Sequence, residues 1–232
     1  QLPSESTLYF ADQARVPYGP RSVHEIRDYA KQIARFLLAH GVKLIVIACN
    51  TASGAALHDL RSTFPNVPFV GMEPAVKPAA ERTQSGVIGV IATPATFQGA
   101  LFRDLVRRFA AQVRLETRVC PGLVNAVEQG ALHTSQTLSL LHQCLDPMLA
   151  VGIDHLVLGC THYPFLEEAI IDVIGPEVKL VDPAPAVARQ VARRLRENKL
   201  CASDDHQADH RCYTSGDRHR LVQMAEMLAE YR

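Results

Sequence analysis

The sequence predicts an α/β protein made of two similar parallel-sheet, doubly wound halves, and three observations predict it. Short runs rich in Val, Ile and Leu alternate with longer amphipathic stretches, the pattern of strands joined by crossover helices. The runs 43-KLIVIA-48 and 154-DHLVLG-159 are apolar nearly throughout, as strands covered on both faces tend to be. Finally, 44-LIVIACNTASGAAL-57 is echoed by 156-LVLGCTHYPFLEEA-169: an apolar run, a cysteine, then polar residues opening a helix.

The elements follow in order. A first strand is predicted at 7-TLYFA-11. The next segment, 22-SVHEIRDYAKQIARFLLAHG-41, carries Ser22 and Glu25 at capping-box spacing and Gly41 as a stop. Within it Ile26, Ala30, Ile33, Phe36 and Leu37 recur at helical spacing and give one buried stripe. Further strands are expected at 43–48, 86–92, 113–119, 154–159 and 178–182. The stretch 134-TSQTLSLLHQCLDPMLAVG-152 has a helical pattern that Pro147 is expected to kink or break. Residues 199–210 are polar and aperiodic, a loop; 211–228 then supplies one more strand and a closing helix.

Composition narrows the function classes. A chain of 232 residues holds one large α/β domain or two small ones. Its 47% hydrophobic and 21% charged shares are those of a soluble globular protein. Lys plus Arg (24) equals Asp plus Glu (24), so nothing points to nucleic acid or an anionic membrane as a partner. The group Arg103, Arg107 and Arg108 reads as a solvated helix face. No apolar run approaches the roughly 20 residues that span a bilayer, and no signal peptide is evident. The six cysteines, at 49, 120, 144, 160, 201 and 212, are scattered without a CxxC pair, which suits a reducing cytoplasm.

Cys49 and Cys160 stand out among them. Each is expected at the carboxyl end of a parallel strand, where ligands collect, and just before a helix N-terminus. That position favours anions, whether a thiolate or a bound carboxylate, with Asn50, Thr51 and Thr161 beside it. A lone strand-end cysteine is usually core filler, and Cys120, Cys144, Cys201 and Cys212 are read that way. For Cys49 and Cys160 the repeated context and the polar residues that follow argue otherwise. His162, two residues after Cys160, can polarise its thiol or help hold a carboxylate. Zinc is disfavoured because CTH offers one thiol with a nearby imidazole and CNT supplies no second ligand, whereas structural zinc sites bring ligands in closely spaced pairs. A dithiol reaction would need both sulfurs within bonding distance. GxGxxG, Walker-type and HExxH motifs are missing, so no nucleotide, pyridoxal phosphate or metal is indicated.

The motifs ACNTA at 48–52 and GCTHYP at 159–164, with 15-RVPYG-19 upstream, resemble the glutamate racemases of the aspartate/glutamate racemase superfamily. The likeness continues through 70-VGMEPAVKPA-79, 88-IGVIATPAT-96, 120-CPGLVNAVEQG-130 and 213-YTSGD-217. It implies interconversion of L- and D-glutamate without a cofactor, Cys49 acting on D-glutamate and Cys160 on L-glutamate. Two opposed bases suit the task, since inversion removes a proton from one face of a carbon and returns it to the other. Tyr18, Gly19, Asn50, Thr51, Thr161 and His162 match substrate-binding positions of the family. Thr93 lies in a matching loop, and Glu128 matches an acidic position near the second thiol. Taken by itself, Glu128 reads equally as a helix-surface carboxylate.

The resemblance also implies two domains, 1–72 with about 185–232 and 73–184, with the active site in the cleft between them. It further implies a cytoplasmic enzyme that supplies D-glutamate for peptidoglycan, often as a homodimer. The family pattern has a strand and an Asp-Ser-Gly loop ahead of the Leu-Pro at Leu2–Pro3, absent from these 232 residues; without that strand a sheet edge is expected to lie open. Ala92, Asn125 and 182-DPAPAVA-188 also depart from it. The alternatives are a racemase-like protein that binds a ligand or partner without turnover, and a racemase of another amino acid such as aspartate.

Overall fold

The computed structural model describes residues 2–229. In chain order the elements are β1 (Thr7–Ala11), α1 (Val23–Ala39), β2 (Ile45–Ile47), α2 (Asn50–Thr63), β3 (Phe69–Gly71) and α3 (Val76–Arg82). They continue with β4 (Val87–Ala92), α4 (Pro94–Gln98), α5 (Ala100–Phe109), β5 (Arg114–Val119), α6 (Leu123–Glu128) and α7 (Ser135–Leu149). The chain closes with β6 (His155–Gly159), α8 (Glu167–Ile174), β7 (Lys179–Val181), α9 (Ala184–Glu197), β8 (His210–Thr214) and α10 (Arg218–Ala229). No helix among the described residues is long and apolar enough to cross a membrane.

Every strand pairing is parallel. One sheet has the order β5-β4-β6-β7, and its faces follow from alternation along the strands. Ile91, Leu156 and Leu158 point to a core shared with Leu141, Leu145 and Met148 of α7 and Ala169 and Ile170 of α8. Ile88, Val90 and Val157 point to the other face, toward Val76 and Ala79 of α3 and Phe102 and Leu105 of α5. Both faces are covered over β4 and β6, which is why those two strands are apolar nearly throughout.

The other half is less continuous. β1 pairs with β8 and β2 with β3, as two separate two-stranded sheets. One core nevertheless unites Leu8 and Phe10 of β1, Ile45 and Ile47 of β2, Phe69 of β3, and Ala34, Leu37, Ala56 and Leu60 of α1 and α2. Among the described residues β1 and β2 are not hydrogen-bonded to each other. β3 was not foreseen: its three residues follow Pro68 too briefly to show a period.

Helix α1 begins as anticipated, with Glu25 N–H donating to the Ser22 hydroxyl and the Glu25 carboxylate accepting from Ser22 N–H. Of the two outcomes expected, a break does not occur: α7 runs through Pro147 to Leu149. Pro147 lies in the last turn on the solvent side, so the Gln143 carbonyl it leaves unpaired belongs to an exposed residue.

Cys120 and Cys144 are buried in the core as expected, but they are not free thiols, and the expectation fails for Cys201 and Cys212. Cys120 and Cys144 form a disulfide between the end of β5 and α7, with Cα atoms 5.7 Å apart. A sequence separation of 24 gave no hint that these two elements stack in one core. Cys201 and Cys212 are exposed and fill no core.

Candidate active site

In the four-stranded sheet, chain order reverses between β4 and β6, because β5 lies on the far side of β4 and β7 beyond β6. Such a switch point opens a crevice at the carboxyl ends of the two strands. The register aligns Ala92 with Gly159, so the residues that follow, Thr93 and Cys160, emerge side by side. Gly159 is required there. A Cβ at this position would lie 2.7 Å from Ala92 Cβ and 2.8 Å from the Ile91 carbonyl oxygen.

Cys160 is buried, and its Sγ lies 3.8 Å from His162 Nδ1. The other ring nitrogen, Nε2, is 2.8 Å from Glu128 Oε1 at the end of α6. Burial opposes charge on His162, but hydrogen bonds to Cys160 and Glu128 outweigh it and raise its pKa to about 9. In return the His162 bond, against the opposing effect of burial, holds the Glu128 carboxyl below its ordinary range, and the charge of Arg220 adds to this. The imidazolium thus presents a donor to the sulfur. The expected α-helix does not start at Cys160. A 3-10 turn, Tyr163–Leu166, comes first, with Pro164 in its first positions and Tyr163 N–H donating to the Cys160 carbonyl.

Cys49 caps α2. Its Sγ accepts from Ala52 N–H at 3.4 Å. The predicted ease of ionisation does not hold for the resting thiol: desolvation pushes Cys49 up to about 11, and the charge of Cys160 adds to it, against the lowering effect of the Ala52 and Thr51 donors. The helix-end donors are present but too few to offset lost hydration. The effect of the Cys160 charge on Cys49 puts the two sulfurs within electrostatic reach.

Around Cys49, Asn50 is 4% exposed, and neither its side-chain nitrogen nor its oxygen has a hydrogen-bond partner. A buried amide with both ends unpaired is costly unless a ligand completes it. Thr51 Oγ1 lies 2.7 Å from Thr93 Oγ1, which joins α2 to the loop after β4. Gly19 lies against the same point: a Cβ on it would sit 3.4 Å from Thr93 Cβ. Thr161 is half-buried between Cys160 and His162. The Tyr18 hydroxyl donates to Asp12 Oδ2 in a very short bond, and its pKa is raised by burial and by Asp12.

Sequence reasoning missed Asp12 and Thr96. Asp12 follows β1, and its carboxylate, 8% exposed, accepts from Tyr18 Oη, Ser215 Oγ and Arg15 Nη1. Its place at a strand's carboxyl end, just before 15-RVPYG-19, was the available signal. Thr96 is 4% exposed, with its hydroxyl 3.0 Å from that of Thr93 and 3.2 Å from that of Thr51.

Comparison with known proteins matches residues 1–191 to the Asp/Glu/Hydantoin racemase family. A glutamate racemase of Roseiflexus sp. (strain RS-1) is 48% identical over 98% of this chain and 84% of its own length. Among solved structures, glutamate racemase isoform RacE1 of Bacillus anthracis superposes with a TM-score of 0.88 at 33% identity, over 100% of this chain and 87% of that one. The Escherichia coli glutamate racemase, solved with L-glutamate and the activator UDP-MurNAc-ala, gives a TM-score of 0.85 at 32% identity, over 99% and 86%.

Proposed function

Because the chain belongs to the Asp/Glu/hydantoin racemase family, and so to the isomerases, we propose that it interconverts L- and D-glutamate with Cys49 and Cys160 as opposed bases. The observation that carries this reading is the placement of the two thiols. Each sits at the end of a parallel strand with its own N–H donor, Ala52 for Cys49 and His162 for Cys160, and the charge of one is felt by the other.

In the L-to-D direction the Cys160 sulfur, as thiolate, takes the Cα proton. The electron pair left on Cα spreads into the substrate α-carboxylate, where hydroxyls of Thr51, Thr93 and Thr161 and the amide of Asn50 donate. The Cys49 thiol then delivers its own proton to the opposite face. The products are D-glutamate, a protonated Cys160 and a charged Cys49 that accepts from Ala52 N–H. The D-to-L direction runs the same transfers in reverse. In this proposal the donors around the α-carboxylate take the place of an electron-sink cofactor in stabilising the carbanionic intermediate.

His162, held as a cation by Glu128, supports the sulfur charge at Cys160. The unpaired Asn50 amide offers a donor to the carboxylate and an acceptor to the ammonium group. Tyr18 and Gly19 form the wall beside Thr93. Residues 1–72 with about 185–232, and 73–184, are the two domains whose cleft holds these groups. In this proposal the enzyme works in the cytoplasm, as a homodimer, and supplies D-glutamate for peptidoglycan.

The test is solvent deuterium exchange. Purified protein in D2O should place deuterium at Cα of either enantiomer while optical rotation decays to zero. Cys49→Ala and Cys160→Ala should each slow racemisation by about 10³-fold or more. Ordinary turnover in either variant rejects the two-base assignment; a parent protein that turns over aspartate but not glutamate rejects the substrate.

A further inference from the structure

Thr51, Thr93 and Thr96 form a closed triangle of hydroxyls, with edges of 2.7, 3.0 and 3.2 Å. The corners come from different parts of the fold. Thr51 is in the first turn of α2, two residues from Cys49, whereas Thr93 and Thr96 cap and begin α4, after β4. The triangle is therefore a polar bridge between the two sheet systems, placed at the switch point beside Cys160. We propose that Thr96 is a positioning residue for glutamate binding, holding the hydroxyls of Thr51 and Thr93 so that their hydrogens can turn to the substrate carboxylate. This rests on the racemase reading above.

Each hydroxyl has one hydrogen and two lone pairs. In the closed triangle every hydrogen can be spent on a neighbouring oxygen, and Thr93 Oγ1 also accepts from Thr96 N–H at 3.3 Å. A carboxylate bound against Thr51 and Thr93 demands that both turn their hydrogens outward. Their oxygens, 2.7 Å apart, would then face each other with no hydrogen between them unless a third group donates. Thr96 is that group. Its one hydroxyl hydrogen can serve Thr51 Oγ1 while its backbone N–H serves Thr93 Oγ1, and because the side chain is buried that hydrogen stays in the triangle while the other two leave it. Without it, Thr51 and Thr93 would bond to each other, and one hydrogen would be lost to the ligand.

Valine replaces the Thr96 hydroxyl by a methyl group of similar size. In Thr96→Val, KM for both L- and D-glutamate should rise about tenfold, with kcat changed less than threefold, the signature of lost binding rather than lost chemistry. The Kd for D-glutamate, measured by calorimetric titration, should rise by the same factor, and Thr96→Ser should recover at least half of the loss. A lowered melting temperature with unchanged Kd and KM would show a purely structural role and overturn the proposal, as would failure of Thr96→Ser to recover binding. If Thr96→Val is recovered unfolded, Thr96→Ala is put through the same measurements. A parent protein that binds no glutamate rejects the racemase reading; a parent that binds and turns over while Thr96→Val binds equally well rejects the role of Thr96 alone.

Discussion

Glu128 Oε1 and His162 Nε2 lie 2.8 Å apart, joining the end of α6 to the turn after Cys160 across 34 positions of sequence. Together with the hydrogen bond to Cys160, which raises the His162 pKa more, this contact keeps the imidazole cationic at neutral pH. Replacing Glu128 by Gln removes the charge and keeps the shape. The His162 pKa should then fall from about 9 toward the ordinary value near 6.5, followed through its ring C–H resonances in an NMR titration. A folded-state pKa above the unfolded one means that the pair stabilises the fold fully below about 6.5 and loses that contribution as pH rises through about 9. Parent and Glu128→Gln melting temperatures should therefore differ most at pH 6 and converge toward pH 10. A gap that does not depend on pH would refute the linkage.

Thiol reactivity should separate the cysteines. With Cys49 pushed up to about 11, on the order of one part in a thousand is thiolate at pH 8, against roughly a quarter for an ordinary cysteine. In the native protein Cys49 should be alkylated by iodoacetamide much more slowly than the exposed Cys201 and Cys212, as read by peptide mass spectrometry. In denaturant without reductant, Cys120 and Cys144 should remain unmodified because they are bonded to each other, while the other four react.

Asp154 is a structural carboxylate rather than a catalytic one. It accepts from Thr83 Oγ1 and from the backbone N–H groups of Gln84 and Ser85, and it lies 2.8 Å from His155 Nδ1. Burial works against its charge, but these donors win and hold its pKa well below the ordinary carboxylate range. Its stabilisation is thus complete above about pH 4 and fades as pH falls through its lowered pKa. Asp154→Asn should cost about 2–3 kcal/mol at pH 7, measured by urea unfolding, and progressively less as pH falls below about 4.

Gly159→Ala tests the close approach of β4 and β6. The added methyl meets a backbone oxygen that cannot rotate aside, so the two strand ends must separate. A loss of about 2–4 kcal/mol is expected, with turnover reduced because Thr93 and Cys160 part together. Parent-like stability would mean that the strands yield more easily than their packing suggests.

Much of this was legible in the chain. Seven strands, the capping box at Ser22 and the positions of both site thiols follow from periodicity, caps and the repeated strand–cysteine pattern. What was not legible has a common physical reason. The Cys120–Cys144 bond, the Asp12 contacts with Tyr18 and Ser215, and the Thr96 bridge to Thr51 join residues far apart in sequence, and only packing brings them together. The Cys49 pKa was misjudged for a related reason: a helix end is visible in sequence, whereas loss of hydration is a property of the finished surroundings. Pro147 shows the reverse case, a strong local rule made harmless by its place in the last, solvent-facing turn.

The two walls of the site differ in how their strands are laced. Among the described residues, Cys160 follows an inner strand with a hydrogen-bonded neighbour on each side, whereas Cys49 follows β2, which pairs with β3. Amide deuteration should therefore run slower along β4 and β6 than along the outer strand β5. The sulfur of Cys160 is thus carried on a stiff anvil, the most tightly laced strands of its sheet.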